Sequence, residues 1–240
     1  MTAPSVLVTQ HGPQVPPGYL EPALIAAGVD YEIVPLHTGS PVPGVAGWDG
    51  IVSLGGAMGA YDEVEYPYLS AEKELLRAAV AAHVPVLGLC LGCQLLADAL
   101  GGRAYQADLP EIAFTTIPLT ADGAADPVLG VLTGPTLTFH QDTWDLPPGA
   151  VLLATTEMYP QAFRFGSAVG IQPHPEAPPE LVAEWITSEV GERHLVAAAV
   201  DGRAVVAAME DARDESEAMA GRVFAAWLAE VRRYAVEPPE

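Results

Sequence analysis

The chain reads as an α/β protein built on a mostly parallel central sheet, and three observations lead there. Apolar or β-branched runs at residues 5–10, 31–36, 50–54 and 84–89 alternate with stretches of helical spacing, the rhythm of strands joined by crossover helices. After Gly102 that rhythm gives way to strand-like runs at 112–119, 136–140, 151–156, 161–165 and 168–172 without long helices between them, which predicts antiparallel additions. Beyond them the pattern returns to helix, as a C-terminal helical tail.

Each element has a local reason. After the first strand, Tyr19, Leu20, Ala23, Leu24 and Ala27 share one helix face, closed by Gly28 in the place where a left-handed residue ends a helix. The Pro- and Gly-rich stretch 38–47 reads as a surface loop. Before the fourth strand, Leu75, Leu76, Ala79 and Val80 make an apolar stripe, with Glu72, Lys73, Glu74 and Arg77 expected to face away from it. An amphipathic stretch over 94–100 follows that strand. In the tail, Leu181, Val182, Trp185 and Ile186 form one face and Ala220, Val223, Phe224, Trp227, Leu228 and Val231 another, so two helices should dock on the body. The acidic residues between Glu210 and Glu217 read as a solvated helix face.

With 240 residues, 50% of them hydrophobic, the chain can bury one substantial core. We expect a single domain over 1–240, with its core at about 5–190 and the helical tail at about 191–234. A net charge of −21, with only 10 Lys and Arg spread along the chain, argues against nucleic-acid backbones and anionic membrane surfaces as partners. No apolar run reaches the roughly 20 residues that span a bilayer, and no signal-peptide pattern opens the chain. The only cysteines, Cys90 and Cys93, are too few for a disulfide scaffold, so a reducing, cytoplasmic setting is expected.

The most informative segment is Gly88-Leu89-Cys90-Leu91-Gly92, where an apolar strand stops and a helix begins. A cysteine at such a turn is lifted out of the sheet, and the helix's unpaired N–H groups and positive dipole end favour its thiolate. Glycines on both sides allow a substrate to approach the backbone. Far downstream, Gln172-Pro173-His174-Pro175-Glu176 carries a histidine and a carboxylate two residues apart. Residues before proline are pushed towards extended conformations, and alternation along an extended segment would point His174 and Glu176 to the same side. A carboxylate there can orient the imidazole and leave its other nitrogen to exchange a proton with a nucleophile.

These two segments together resemble the class I (triad) glutamine amidotransferase family. Gly55-Gly56 after the third strand, Tyr61-Asp62-Glu63, Tyr66-Pro67 and His140-Gln141-Asp142-Thr143 are similar to its stand-alone subgroup related to the amidotransferase domain of GMP synthase. The motifs span about residues 5–176. The resemblance implies a flavodoxin-like three-layer α/β/α sandwich with the site at the carboxyl edge of its sheet. It implies that Cys90 attacks the side-chain amide of glutamine to form a γ-glutamyl thioester, with His174 as proton carrier and Glu176 as its support. Backbone N–H groups of Gly56 and Leu91, beside Gly55, would bind the oxyanion; Gln94 would contact substrate; His140, Gln141 and Asp142 would form a further wall. Pro173, Ala57 and Gln141 depart from the residues frequent in the family at their positions.

Plainer readings remain for single residues. Cys93 reads as a small buried hydrophobe, and its spacing from Cys90 as a redox pair lacks a thioredoxin-like context. His11, ending the first strand, is open to two readings, a wall of the site or a structural residue. His37, His83 and His194 read as surface or packing residues. Nothing in the sequence requires a metal or organic cofactor, and no Walker-type loop occurs. The leading function is a glutaminase supplying ammonia to a separate synthetase or ligase. Its rival is a stand-alone hydrolase of γ-glutamyl peptides or amides, which uses the same triad and releases an amine. The sequence leaves the oligomeric state open.

Overall fold

The computed structural model describes residues 3–237. Strand and helix alternate first: β1 (Ser5–Gln10), α1 (Leu20–Ala26), β2 (Asp30–Pro35), β3 (Gly50–Ser53), α2 (Tyr68–Ala81), β4 (Val86–Leu89) and α3 (Leu91–Ala99). Next come β5 (Arg103–Thr116), α4 (Ala121–Ala125), β6 (Pro135–Asp145), β7 (Val151–Thr155), β8 (Pro160–Phe165) and β9 (Ala168–Ile171). Helices α5 (Pro179–Trp185), α6 (Glu189–Ala198), α7 (Gly202–Asp211) and α8 (Arg213–Val236) close the chain. Among the described residues, no helix is long and apolar enough to cross a membrane.

Seven strands form the central sheet in the order β2-β1-β3-β4-β9-β8-β7. From β2 to β9 every pairing is parallel, whereas β8 and β7 are added antiparallel. This makes a flavodoxin-like three-layer arrangement. Along β1 the buried residues alternate between the two faces: Val6 and Val8 join Leu20 and Leu24 of α1 and Phe224 and Trp227 of α8, while Leu7 joins Leu76 of α2 and Leu95 of α3. The parallel direction has a functional consequence. The segments that leave β1, β3, β4 and β9 all emerge at the same carboxyl edge, so His11, Gly55, Cys90 and His174 meet there despite their separation in sequence.

Several expectations need correction. The region after Gly102 is not a uniform set of antiparallel additions: β9 lies parallel to β4 in the heart of the sheet. β5 and β6 form a separate two-stranded sheet; β5 begins well before the run 112–119 and ends at Thr116, and β6 continues past the run 136–140, because polar residues such as Gln106 and Asp142 belong to the same ladder. The stretch 94–100 is not amphipathic in place; α3 starts at Leu91 and is buried on nearly all sides, wedged against β3, β5 and β9. Beyond β9 the described residues form four helices, α5 to α8, instead of two. In α2, Glu72 and Lys73 do not face solvent but are buried. Lys73 pairs with Glu63 and Asp98, and Glu72 enters a polar cluster at the sheet edge.

Candidate active site

Cys90 caps α3 with φ 51° and ψ −105°, a conformation that side chains rarely adopt. The elbow is held from both sides. Cys90 N–H donates to Ile171 O of β9 at 2.9 Å, and Gly92 N–H donates to Leu54 O at 3.1 Å. A Cβ on Gly92 would run into the Ser53 carbonyl, and one on Gly88 would meet the Gly92 carbonyl at 2.5 Å, so the close crossing of β3, β4 and α3 requires glycine at both positions.

His174 is buried and anchored by its backbone, whose N–H donates to Leu137 O of β6 at 2.8 Å. Its Nδ1 lies 2.7 Å from Glu176 Oε1. The two side chains meet as anticipated, but not by alternation along a strand: residues 175–176 form a turn that brings the carboxylate back to the ring. Burial disfavours charge on His174, yet the Cys90 and Glu176 charges and hydrogen bonds outweigh it and hold the imidazolium well above the usual histidine range. With Nδ1 given to Glu176, the remaining nitrogen is the one available to Cys90. Trp185 packs against the ring with centroids 4.9 Å apart and donates its indole N–H to Gln14 O.

Cys90 and His174 open into a cavity of about 910 Å³ that Gly56, Gln94, His140, Gln141 and Asp142 also line. Gly55, Leu91 and Glu176 stand behind this surface. Gly55 faces the pair directly: a Cβ there would sit 3.4 Å from His174 Cε1 and 3.7 Å from Cys90 Cβ. The Leu91 side chain fills the space that a Cβ on Gly56 would need, which packs these two backbones side by side. Among the described residues, neither Gly56 N–H nor Leu91 N–H donates to a protein acceptor. Gln94 Nε2 donates to Asp142 O and Gln172 Oε1, each at 3.2 Å, tying α3 to the β6 and β9 segments. His140 Nδ1 is 2.8 Å from Asp142 O, and its Nε2 is 3.3 Å from Glu111 Oε2. Gln141 Nε2 donates to Ala107 O across the β5–β6 pair. Burial raises the Asp142 carboxyl despite a hydrogen bond from Tyr61.

Other lining residues escaped the sequence reading. Met58, Tyr61, Trp185, Arg193 and the half-buried His194 all border the cavity. Burial lowers its pKa, and the Arg193 and His140 charges act in the same direction. The available signal was compositional: Arg193 and His194 set one of the chain's 10 basic residues beside one of its 6 histidines. His11 does not line the cavity. It lies buried beneath Gly55. Cys93 is wholly buried, and burial pushes its thiol well above the ordinary range. Among the described residues, no group of His, Cys, Asp and Glu is arranged to hold a metal ion.

Residues 19–187 match the glutamine amidotransferase class-I family. The chain belongs to that family. Its relatives include a glutamine amidotransferase-like protein, YfeJ, of Salmonella typhimurium, 36% identical over 124 residues that cover 49% of this chain and 52% of that protein. A GMP synthase (glutamine-hydrolyzing) of Aeropyrum pernix is 32% identical over 188 residues, 73% of this chain and 33% of the synthase. The matched stretches span about half the length or less of these curated relatives. Among solved structures, a glutamine amidotransferase from Thermotoga maritima superposes with a TM-score of 0.83 at 27% identity, covering 96% of this chain and 99% of that one. A glutamine amido transferase from Methylobacillus flagellatus gives 0.83 at 25% identity, covering 95% and 96%.

Proposed function

We infer that the protein hydrolyses the side-chain amide of glutamine through a thioester on Cys90 and delivers the ammonia to a separate acceptor enzyme. The observation that carries this reading is the convergence of Cys90, His174 and Glu176 at one sheet edge beside two unspent N–H groups. Cys90 Sγ adds to the amide carbon, and the carbonyl electrons move onto oxygen, where Gly56 N–H and Leu91 N–H receive the charge. As the oxyanion collapses, the C–N bond breaks and His174 gives its proton to the departing nitrogen, releasing ammonia. His174 then takes a proton from water, the hydroxide attacks the thioester, and glutamate leaves with Cys90 regenerated. Glu176 keeps the imidazole oriented throughout. Gln94, with its amide nitrogen already committed to Asp142 and Gln172, offers its oxygen to the substrate. A partner is supported by relatives named as separate subunits of a synthetase, such as the glutamine-hydrolyzing GMP synthase subunit of Haloarcula marismortui.

The cavity itself favours a second reading. At about 910 Å³ it lies near the top of the roughly 300–1,000 Å³ range of small-molecule sites, and a glutamine side chain occupies only part of it. The remainder, bordered by Trp185, Arg193 and His194, suits the amine portion of a γ-glutamyl peptide or amide, whose hydrolysis follows the same steps. One assay separates the two: ammonia and glutamate from glutamine, beside amine release from a γ-glutamyl panel, on the purified protein. Cys90→Ser should lower either activity by roughly 10³-fold or more. Glutamine turnover that rises when a synthetase partner is added supports the first reading. Robust turnover of γ-glutamyl peptides, with glutamine inert alone and with partners, replaces it with the second.

A further inference from the structure

The buried polar cluster beneath Gly55 has no role in the steps above. His11 follows the last residue of β1 and is 1% exposed. Its Nδ1 lies 3.0 Å from Gly55 O, and its Nε2 lies 2.7 Å from Glu72 Oε2. Glu72 reaches down from α2, and its other oxygen accepts from Thr9 Oγ1 at 2.5 Å and Ser53 Oγ at 2.8 Å. A carbonyl and a carboxylate are both acceptors, so both ring nitrogens must donate, and His11 is an imidazolium facing a carboxylate. Burial opposes that charge, but Glu72 and the Gly55 and Leu54 backbone outweigh it and raise the ring's pKa. A buried ion pair is poor evidence of net stabilisation, because desolvation offsets much of the attraction.

What the pair does control is a peptide plane. Gly55 O and Gly56 N–H belong to one planar trans peptide and point in opposite directions. A Gly–Gly peptide has no Cβ on either side to resist rotation, so it is among the easiest to turn over. Holding Gly55 O down on His11 turns Gly56 N–H up, towards the cavity that Gly56 shares with Cys90. We propose that His11, fixed by Glu72, is a positioning residue that locks the Gly55–Gly56 peptide with its N–H presented to the oxyanion. The inference rests on the thioester reading.

The test compares two double variants. His11→Leu/Glu72→Gln removes the donor to Gly55 without stranding a buried carboxylate, and His11→Asn/Glu72→Gln restores an amide donor near the Nδ1 position. Two probes of Cys90 are measured on each. Alkylation by iodoacetamide forms an S–C bond and expels iodide without creating an oxyanion. An N-blocked γ-aldehyde analogue of glutamine, unable to cyclise, takes up the thiol reversibly as a hemithioacetal whose oxygen sits in the oxyanion position. The Leu variant should lose about 10²–10³-fold in kcat and in aldehyde affinity, with KM and alkylation rate within about twofold of wild type. The Asn variant should recover to within about tenfold.

Aldehyde affinity unchanged in the Leu variant, or a fall matched by an equal fall in alkylation, overturns the assignment. So does a failure of Asn to rescue. If the Leu variant does not fold, nitrogen NMR of His11 in the wild-type protein decides: a proton on Nδ1 at neutral pH is expected, and a bare Nδ1 overturns the proposal. Should the wild-type protein turn over neither glutamine nor a γ-glutamyl amide, and Cys90 ignore the aldehyde, the thioester reading fails and this inference falls with it. An active wild type matched by the Leu variant removes only the role of His11.

Discussion

Glu176 acts through one contact, and its removal should be read on a pH axis. The carboxylate and Cys90 raise the His174 pKa against burial, so losing the carboxylate lets the ring deprotonate at lower pH. Glu176→Gln should therefore move the alkaline limb of the kcat/KM profile towards acid and lower its plateau by roughly 10²–10⁴-fold, as loss of a triad carboxylate does elsewhere. An alkaline limb that stays in place would show that another group supports the imidazole. At this scale the sequence was legible where chemistry demands unusual neighbours: a cysteine between glycines, and a histidine and carboxylate beside prolines. It was misleading where a charged residue is buried with its partners. Glu72 sits among charged neighbours at helical spacing, and nothing local to α2 reveals that Thr9 and Ser53 on two strands, and His11 just past the first of them, wait for it. Trp185 was placed on a helix face, but its contact with His174 depends on how α5 docks.

The elbow between β4 and α3 couples backbone packing to site geometry. Gly92 lies against the Ser53 carbonyl, and backbone cannot swing aside as a flexible side chain can. Gly92→Ala should destabilise the protein by about 1–3 kcal/mol, the usual range for overpacking, measured by denaturant unfolding. Its activity should fall further than stability alone explains, because the Cys90 and Leu91 backbones shift with it. A variant of wild-type stability would mean that β3 and α3 separate more easily than their contacts imply. Elements whose sequence pattern matches their burial were legible: β1 and β3 are short apolar or β-branched runs buried on both faces, and α1 buries the stripe that carries Leu20 and Leu24. Those whose neighbours come from far away in sequence were not. The direction of β9 is set by its pairing with β4 more than seventy positions earlier, as Val86 opposite Ala168 shows, and an apolar run carries no sign of direction. The β5–β6 ladder was cut short because its polar half faces the cavity and lacks the hydrophobic alternation by which strands are recognised.

Across the whole molecule, two electrostatic effects oppose each other and make stability depend on salt and pH in a defined way. At neutral pH the net charge of −21 repels itself, and added salt screens that repulsion once the Debye length falls to about 10 Å near 0.1 M. Against it stand buried carboxylates with lowered pKa values. Burial alone would raise each of them, but Glu72 is held down by His11, Thr9 and Ser53, Asp126 by Arg164 and two backbone N–H groups, and Glu111 by His140, Thr156 and Gln161. Because their folded values lie below those of the unfolded chain, they stabilise the fold in full above about pH 4 and cease to do so as the pH falls through the folded values. Exposed carboxylates respond differently, since their protonation at mildly acid pH only relieves repulsion. Thermal unfolding should therefore show Tm at pH 7 rising between low salt and several hundred millimolar sodium chloride. At fixed low salt, Tm should pass through a maximum between pH 7 and about pH 4 and fall steeply below it. A Tm at pH 7 that drops with added salt would mean that ion pairs such as Arg164 with Asp126 and Glu230 outweigh the collective repulsion.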